Sequence, residues 1–143
     1  MLSIELPENK KIYFASDNHL GAPTAAESKP REAKFVQWLD NIKADAGAIF
    51  LLGDLFDFWF EYKTVVPKGF VRTLGKLAEL RDSGIPIYFF VGNHDLWMDD
   101  YFETELGIPV YRRPLEVECA GKRFLIGHGD GLGPGDKGYK RMK

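Results

Sequence analysis

Residues 48–57, Ala-Ile-Phe-Leu-Leu-Gly-Asp-Leu-Phe-Asp, decide the fold class. Ala48–Leu52 is a short, unbroken apolar run, rich in branched and aromatic side chains, and it stops at Gly53-Asp54. A run of that length ending at a glycine turn reads as a strand buried on both faces, the kind found inside parallel sheets. Such a strand needs covering layers, so the flanking sequence must supply them.

Working outward, three more short runs have the same character: Lys11–Ser16 (KIYFAS), Ile87–Val91 (IYFFV) and Arg123–Ile126 (RFLI). Between the first strand and the central one, Phe35, Trp38, Leu39 and Ile42 recur at helical spacing. They predict a helix over about Pro30–Lys43, with Pro30 in its first turn. After the central strand, Phe70, Leu74, Leu77 and Ala78 line one face of a second helix, about Lys68–Ser83, which Gly84 and Pro86 bring to a stop. Strand, helix, strand, helix, strand is the grammar of a parallel α/β sheet. Val110–Cys119 reads as extended, with Ala120-Gly121 as a hairpin turn into the fourth run. There is no internal repeat, and the tail from Gly129 to Lys143 is Gly-rich and basic.

A polar cluster follows each of the four runs. These are Asp17-Asn18-His19, then Gly53-Asp54-Leu55-Phe56-Asp57, then Gly92-Asn93-His94-Asp95, then Gly127-His128-Gly129-Asp130. The carboxyl ends of strands in an open parallel sheet share one edge, and ligands bind there, so the four clusters are expected to meet. Taken singly, each has a bland reading. Gly-Asp and Gly-Asn after a strand are common turns, and Asp17 or Asn93 would serve as a helix cap. The coincidence at four successive strand ends outweighs it, and all three histidines of the chain fall in these clusters. Carboxylate, amide oxygen and imidazole without thiolate suit Mn, Fe, Zn or Ni. A carboxylate between two cations would bridge them at the ~3.5–4 Å that two-metal hydrolysis uses.

In this order, Asp17-x-His19, Gly53-Asp54-x-x-Asp57, Gly92-Asn93-His94-Asp95 and Gly127-His128 resemble the motifs of the calcineurin-like metallophosphoesterase superfamily, from about Lys11 to Asp130. The resemblance implies an α/β fold, a layered α/β/β/α sandwich. Its N-terminal part would be the parallel β-α-β-α-β core followed by a hairpin. It implies two divalent metal ions, Mn²⁺ first, with Zn²⁺, Fe²⁺ or Ni²⁺ as substitutes. Asp17 and His19 would hold one, Asp54 would bridge both, and Asn93 and His128 would hold the other. His94 would be the catalytic, charge-stabilising histidine, with Asp57 orienting or charging it. The reaction implied is in-line attack of an activated water on phosphorus.

Gly53–Trp59 (GDLFDFW) and His128–Arg141 (HGDGLGPGDKGYKR) are similar to the branch that hydrolyses UDP-2,3-diacylglucosamine to UMP and 2,3-diacylglucosamine 1-phosphate in lipid A synthesis. Asp136, Tyr139 and Arg141 would then touch substrate. The sequence departs from that branch at His94, where well-known members carry Arg and most of the superfamily carries His. The superfamily closes its metal set with a later Gly-His-x-His, and no histidine follows His128 here. The expectation is that residues 1–143 form the N-terminal portion of a single longer domain, which alone binds metal weakly and shows little turnover.

Bulk properties narrow the partners. A net charge of −2 supplies no basic track, so nucleic acid is not expected as a partner. The single cysteine, Cys119, is expected to be a buried thiol, and the charged Met1–Lys11 stretch has no apolar core of a signal peptide. The expected setting is cytoplasmic, peripheral on the inner membrane, where Lys137, Lys140, Arg141 and Lys143 would meet an anionic surface or a diphosphate. Phe58, Trp59, Phe60 and Tyr62 would pack the core or face the nucleotide-linked glycolipid. A homodimer is a further expectation. Two other function classes stay open: another phosphodiesterase or nuclease of the superfamily, and a non-catalytic module.

Overall fold

The computed structural model describes residues 1–130. In chain order the elements are β1 (Leu2–Ile4), β2 (Lys11–Ala15), α1 (Ala25–Ile42), β3 (Ala46–Leu51), α2 (Val71–Asp82), β4 (Ile87–Phe90), α3 (Tyr101–Leu106), β5 (Val110–Tyr111), β6 (Leu115–Cys119) and β7 (Lys122–Ile126). The strands β2-β3-β4-β5 form an all-parallel sheet, and β1-β6-β7 form a second sheet.

The alternation along β3 shows why two covers are needed. Ile49 and Leu51 point into a core shared with Phe35, Leu39 and Ile42 of α1 and Leu77 and Leu80 of α2. Ala48 and Phe50 point the other way, into a second core with Ile4, Val117, Cys119 and Ile126 of the second sheet. Phe89 and Phe90 of β4 divide in the same manner. A strand covered on both faces has no polar side, which is why the sequence there is continuously apolar. The described residues thus stack as helices, parallel sheet and second sheet. Cys119 is buried within the last interface.

Helix α1 begins five residues before the expected Pro30, at Ala25. The reason is a capping box: Thr24 Oγ1 accepts from the Glu27 amide at 3.2 Å, and the two side chains meet at 2.8 Å. Pro30 therefore lies in the second turn, where its missing N–H forgoes one helical bond. Helix α2 stops as the sequence predicts. Gly84 takes φ 90°, and the amides of Ser83, Gly84 and Ile85 turn back onto the Glu79, Arg81 and Leu80 carbonyls.

Val110–Cys119 is not one extended piece. It divides into β5 on the parallel sheet and β6 on the second sheet. The fourth run forms the expected hairpin: β7 pairs antiparallel with β6, in the second sheet. Ala120 and Gly121 both take positive φ, 50° and 72°, as a two-residue hairpin turn requires. β1 and α3, of three and six residues, had no clear periodic signal. Among the described residues no helix is long and apolar enough to cross a membrane.

Candidate metal centre

Beyond their strands, the loops after β2 and β3 continue side by side. The amides of Asp17, His19 and Leu20 donate to the carbonyls of Gly53, Asp54 and Leu55 at 3.1, 2.9 and 2.9 Å, and the Asp57 amide returns a bond to Leu20 at 2.9 Å. This pairing sets Asp17 and His19 against Asp54 by backbone geometry alone. All three residues take left-handed φ, 57°, 45° and 51°. Non-glycine residues held there cost of order 1–3 kcal/mol each, and such strain gathers at functional sites.

The loop after β4 approaches so closely that a side chain would not fit between them. A Cβ on Gly92 would fall 2.0 Å from Asp54 Oδ1 and 2.6 Å from its amide nitrogen. Asp95, with no exposed surface, fastens the two loops. Its carboxylate accepts from the amides of Gly92 at 2.7 Å, Leu55 at 2.9 Å and Asp54 at 3.2 Å. Burial pushes its carboxyl above the usual range; the amides of Gly92 and Asp54 pull it back, and the Asp54 charge adds to the rise.

His128 arrives from the second sheet at the end of β7. Its Nδ1 lies 2.7 Å from the Leu52 carbonyl. A carbonyl only accepts, so Nδ1 carries the proton and Nε2 presents a lone pair. That Nε2 lies 3.3 Å from Asn93 Oδ1 and 3.4 Å from Asp54 Oδ2. Across the site, His19 Nε2 lies 3.7 Å from Asp54 Oδ2 and 3.8 Å from Asp17 Oδ1. Ser16 Oγ donates to the Asp17 carboxylate. Two groups of donors result, His19 with Asp54 and His94, and Asp17 with Asp54 and His128, each with ligand atoms within 4.8 Å of one another. Asp54 belongs to both. Oxygen and imidazole acceptors turned toward one another at these distances fit divalent cations, which would offset their repulsion.

His94 Nδ1 meets the backbone carbonyl of Asp57 at 2.8 Å and its carboxylate at 3.4 Å. The same carboxylate oxygen lies 3.4 Å from His19 Nδ1, so Asp57 stands between both imidazoles, whose rings meet edge to face at 4.7 Å. The residues expected at the site, Asp17, His19, Asp54, Asp57, Asn93, His94 and His128, are therefore brought together. Asp136, Tyr139 and Arg141 lie outside the described residues.

The chain matches the Calcineurin-like phosphoesterase family model over residues 10–138. The chain belongs to this family. Among curated relatives it is 51% identical over 120 residues to a UDP-2,3-diacylglucosamine hydrolase of Porphyromonas gingivalis, covering 84% of this chain and 46% of the relative. It is 32% identical over 135 residues to the protein of the same name from Actinobacillus succinogenes, covering 93% of this chain and 54% of that one. The chain thus spans about half the length of these relatives. Among solved structures, a Pseudomonas putida nuclease aligns with TM-score 0.43 and 21% identity, over 71% of this chain and 48% of that chain.

Two supports of this calcineurin-like phosphoesterase site carry no motif of their own in the sequence. Arg31 Nη1 donates to the His19 and Ala22 carbonyls at 2.9 and 3.0 Å, and Ser28 Oγ accepts from the Gly21 amide at 2.7 Å. Both belong to the early turns of α1, so the helix start holds the loop that carries Asp17 and His19. The only sequence signal was the capping box that places this start. In sequence Asp95 is indistinguishable from a metal ligand; only its burial and its bonds to backbone amides show that it holds loops. Of the aromatics after Asp57, Trp59 is fully buried, while Phe58, Phe60 and Tyr62 are exposed.

Proposed function

We propose that residues 1–143 correspond to the N-terminal portion of one metallophosphoesterase domain, and that this domain hydrolyses the pyrophosphate of UDP-2,3-diacylglucosamine to UMP and 2,3-diacylglucosamine 1-phosphate. The observation that carries the reading is the Asp54 carboxylate, buried and common to both donor groups. It is supported by the shared name of the relatives. Asp17, His19, Asp54, Asn93 and His128 would hold two divalent cations, Mn²⁺ first. Bound there, such ions lower the pKa of water and neutralise phosphate oxygens.

The chain's own groups do the rest. Asp57 fixes the His94 ring through its carbonyl, which places the proton on Nδ1 and leaves Nε2 to donate to a phosphate oxygen once protonated. Asp136, Tyr139 and Arg141 would contact substrate. Phe58 and Trp97, exposed with ring centroids 6.2 Å apart, form an aromatic ledge for acyl chains, extended by Phe60 beside Trp97. A cytoplasmic enzyme lying on the anionic face of the inner membrane suits that substrate, with no nucleic acid as partner. Exposed Phe124 and Leu125 on β7 would favour a homodimer.

A second reading, a nuclease or other phosphodiesterase, is favoured by one residue, His94, where well-known members of the lipid branch carry Arg. The test is ³¹P NMR of the complete domain that carries this portion, with Mn²⁺ and UDP-2,3-diacylglucosamine, and with bis-nitrophenyl phosphate and single-stranded DNA in parallel. UMP from the lipid, lost in Asp54→Asn, is the expected outcome. Turnover of the other two substrates alone would replace the first reading with the second, and turnover of none would point to a non-catalytic module.

A further inference from the structure

Beside the metal centre, between the end of β2 and the face of α1, lies a cavity of about 450 Å³. We infer that this cavity binds the nucleoside monophosphate half of the substrate, on the opposite side of the metal centre from the Phe58–Trp97 ledge. The inference rests on the pyrophosphatase reading and names which half of that substrate goes where.

Position comes first. Ser16 and Asn18 line the cavity, and both are chain neighbours of Asp17, so a molecule seated there reaches the donor cluster with one phosphate. The sheet order β2-β3-β4 puts this cavity at the β2 edge, while Phe60 and Trp97 pair in the loops beyond β3 and β4. Cavity, metal centre and aromatic ledge therefore follow one another along the sheet edge. The substrate has the same order: nucleotide, pyrophosphate, acylated sugar.

Charge comes second. Arg31 and Lys34 line the cavity and no carboxylate does, although acids outnumber bases in the chain as a whole. Arg31 is fastened to backbone carbonyls and supplies a fixed positive charge. Lys34 is exposed and free to swing to a phosphate.

The rings come third. Trp38 is held by an edge contact with Tyr13 at 6.1 Å and stacking on Phe35 at 5.8 Å, and half-exposed Phe14 is stacked on Phe50 at 5.3 Å. Rings already fixed by packing give a planar base a platform at little entropic cost, and base–aromatic stacking tolerates any base. The volume falls within the roughly 300–1,000 Å³ range of small-molecule sites.

The test is titration of UMP into the 143-residue chain in EDTA, followed by saturation-transfer NMR on the uracil protons. Saturable binding is expected without metal. Lys34→Glu and Trp38→Leu are each expected to weaken it by about fivefold or more, and Asp54→Asn to leave it within about twofold. Trp38→Leu disturbs packing, so Lys34→Glu, an exposed change, decides the matter. UMP affinity unmoved by Lys34→Glu, or lost in Asp54→Asn, overturns the assignment. The two readings fail separately. Intact UMP binding without UMP release from the lipid removes the hydrolase reading alone, whereas intact release with UMP affinity and KM indifferent to Lys34→Glu removes the cavity.

Discussion

Asp54 and Asp95 are the two buried acids of the site loops, and they have opposite tasks. Asp95 turns its carboxylate to backbone amides, including a longer contact to Phe56 at 3.5 Å, whereas Asp54 turns Oδ2 toward His19 and His128. Exchanging the Asp95 carboxylate for an amide sets an NH₂ against N–H donors. Asp95→Asn is therefore expected to lower stability by about 2–3 kcal/mol, read by urea unfolding in EDTA. Wild-type stability in that variant would show that the loops hold without it. The ligands themselves were legible because imidazole, amide and carboxylate recur at strand ends. The division of labour between two aspartates was not, since only burial and the direction of nearby N–H groups tell them apart.

At the scale of elements, the start of α1 is tied to the site through Arg31 and Ser28, so its cap acts beyond the helix. Thr24→Ala removes the hydroxyl that the Glu27 amide uses and is expected to cost about 1 kcal/mol, measured by thermal unfolding. At the other end of the sheet, Tyr13 donates to Asp45 Oδ1 at 2.7 Å and Lys11 pairs with its other oxygen at 3.0 Å. The Tyr13 bond first, then Lys11, holds the Asp45 carboxyl below its ordinary value. A depressed native pKa adds stability above the unfolded value of about 3.9, and that contribution is lost as pH falls through the native value. Tyr13→Phe should raise the Asp45 midpoint in a ¹³C NMR titration; an unchanged midpoint would assign the depression to Lys11 alone. β2, β3, β4 and β7 are readable from their apolar runs, and the end of α2 from Gly84. Pro30 mimics a first-turn signal, whereas the true start of α1 is marked by Thr24-x-x-Glu27, whose hydroxyl and carboxylate cap it.

Across the whole molecule, the cores and the centre are built by stacking layers. The carboxylates and imidazoles that converge at the site fit a cation, so Mn²⁺ should stabilise the native state by linkage, by about 2.7 kcal/mol at a hundred times its Kd. EDTA should reverse the rise in melting temperature, and Asp54→Asn should abolish it; a variant that still responds would place the ions elsewhere. The parallel sheet was legible from strand–helix alternation. That β7 lies in a second sheet was not, because one short apolar run looks the same in either, and the resemblance alone supplied the second layer. Since Asp17, His19, Asp54 and Asn93 hang from one sheet and His128 from the other, the donors straddle a seam. A cation held there works as a rivet through two plates, and its grip would gauge how well the plates are aligned. Loosening side chains deep in the seam, such as Val117 or Phe50, would then be felt as a weaker hold on the ion without any donor having been touched.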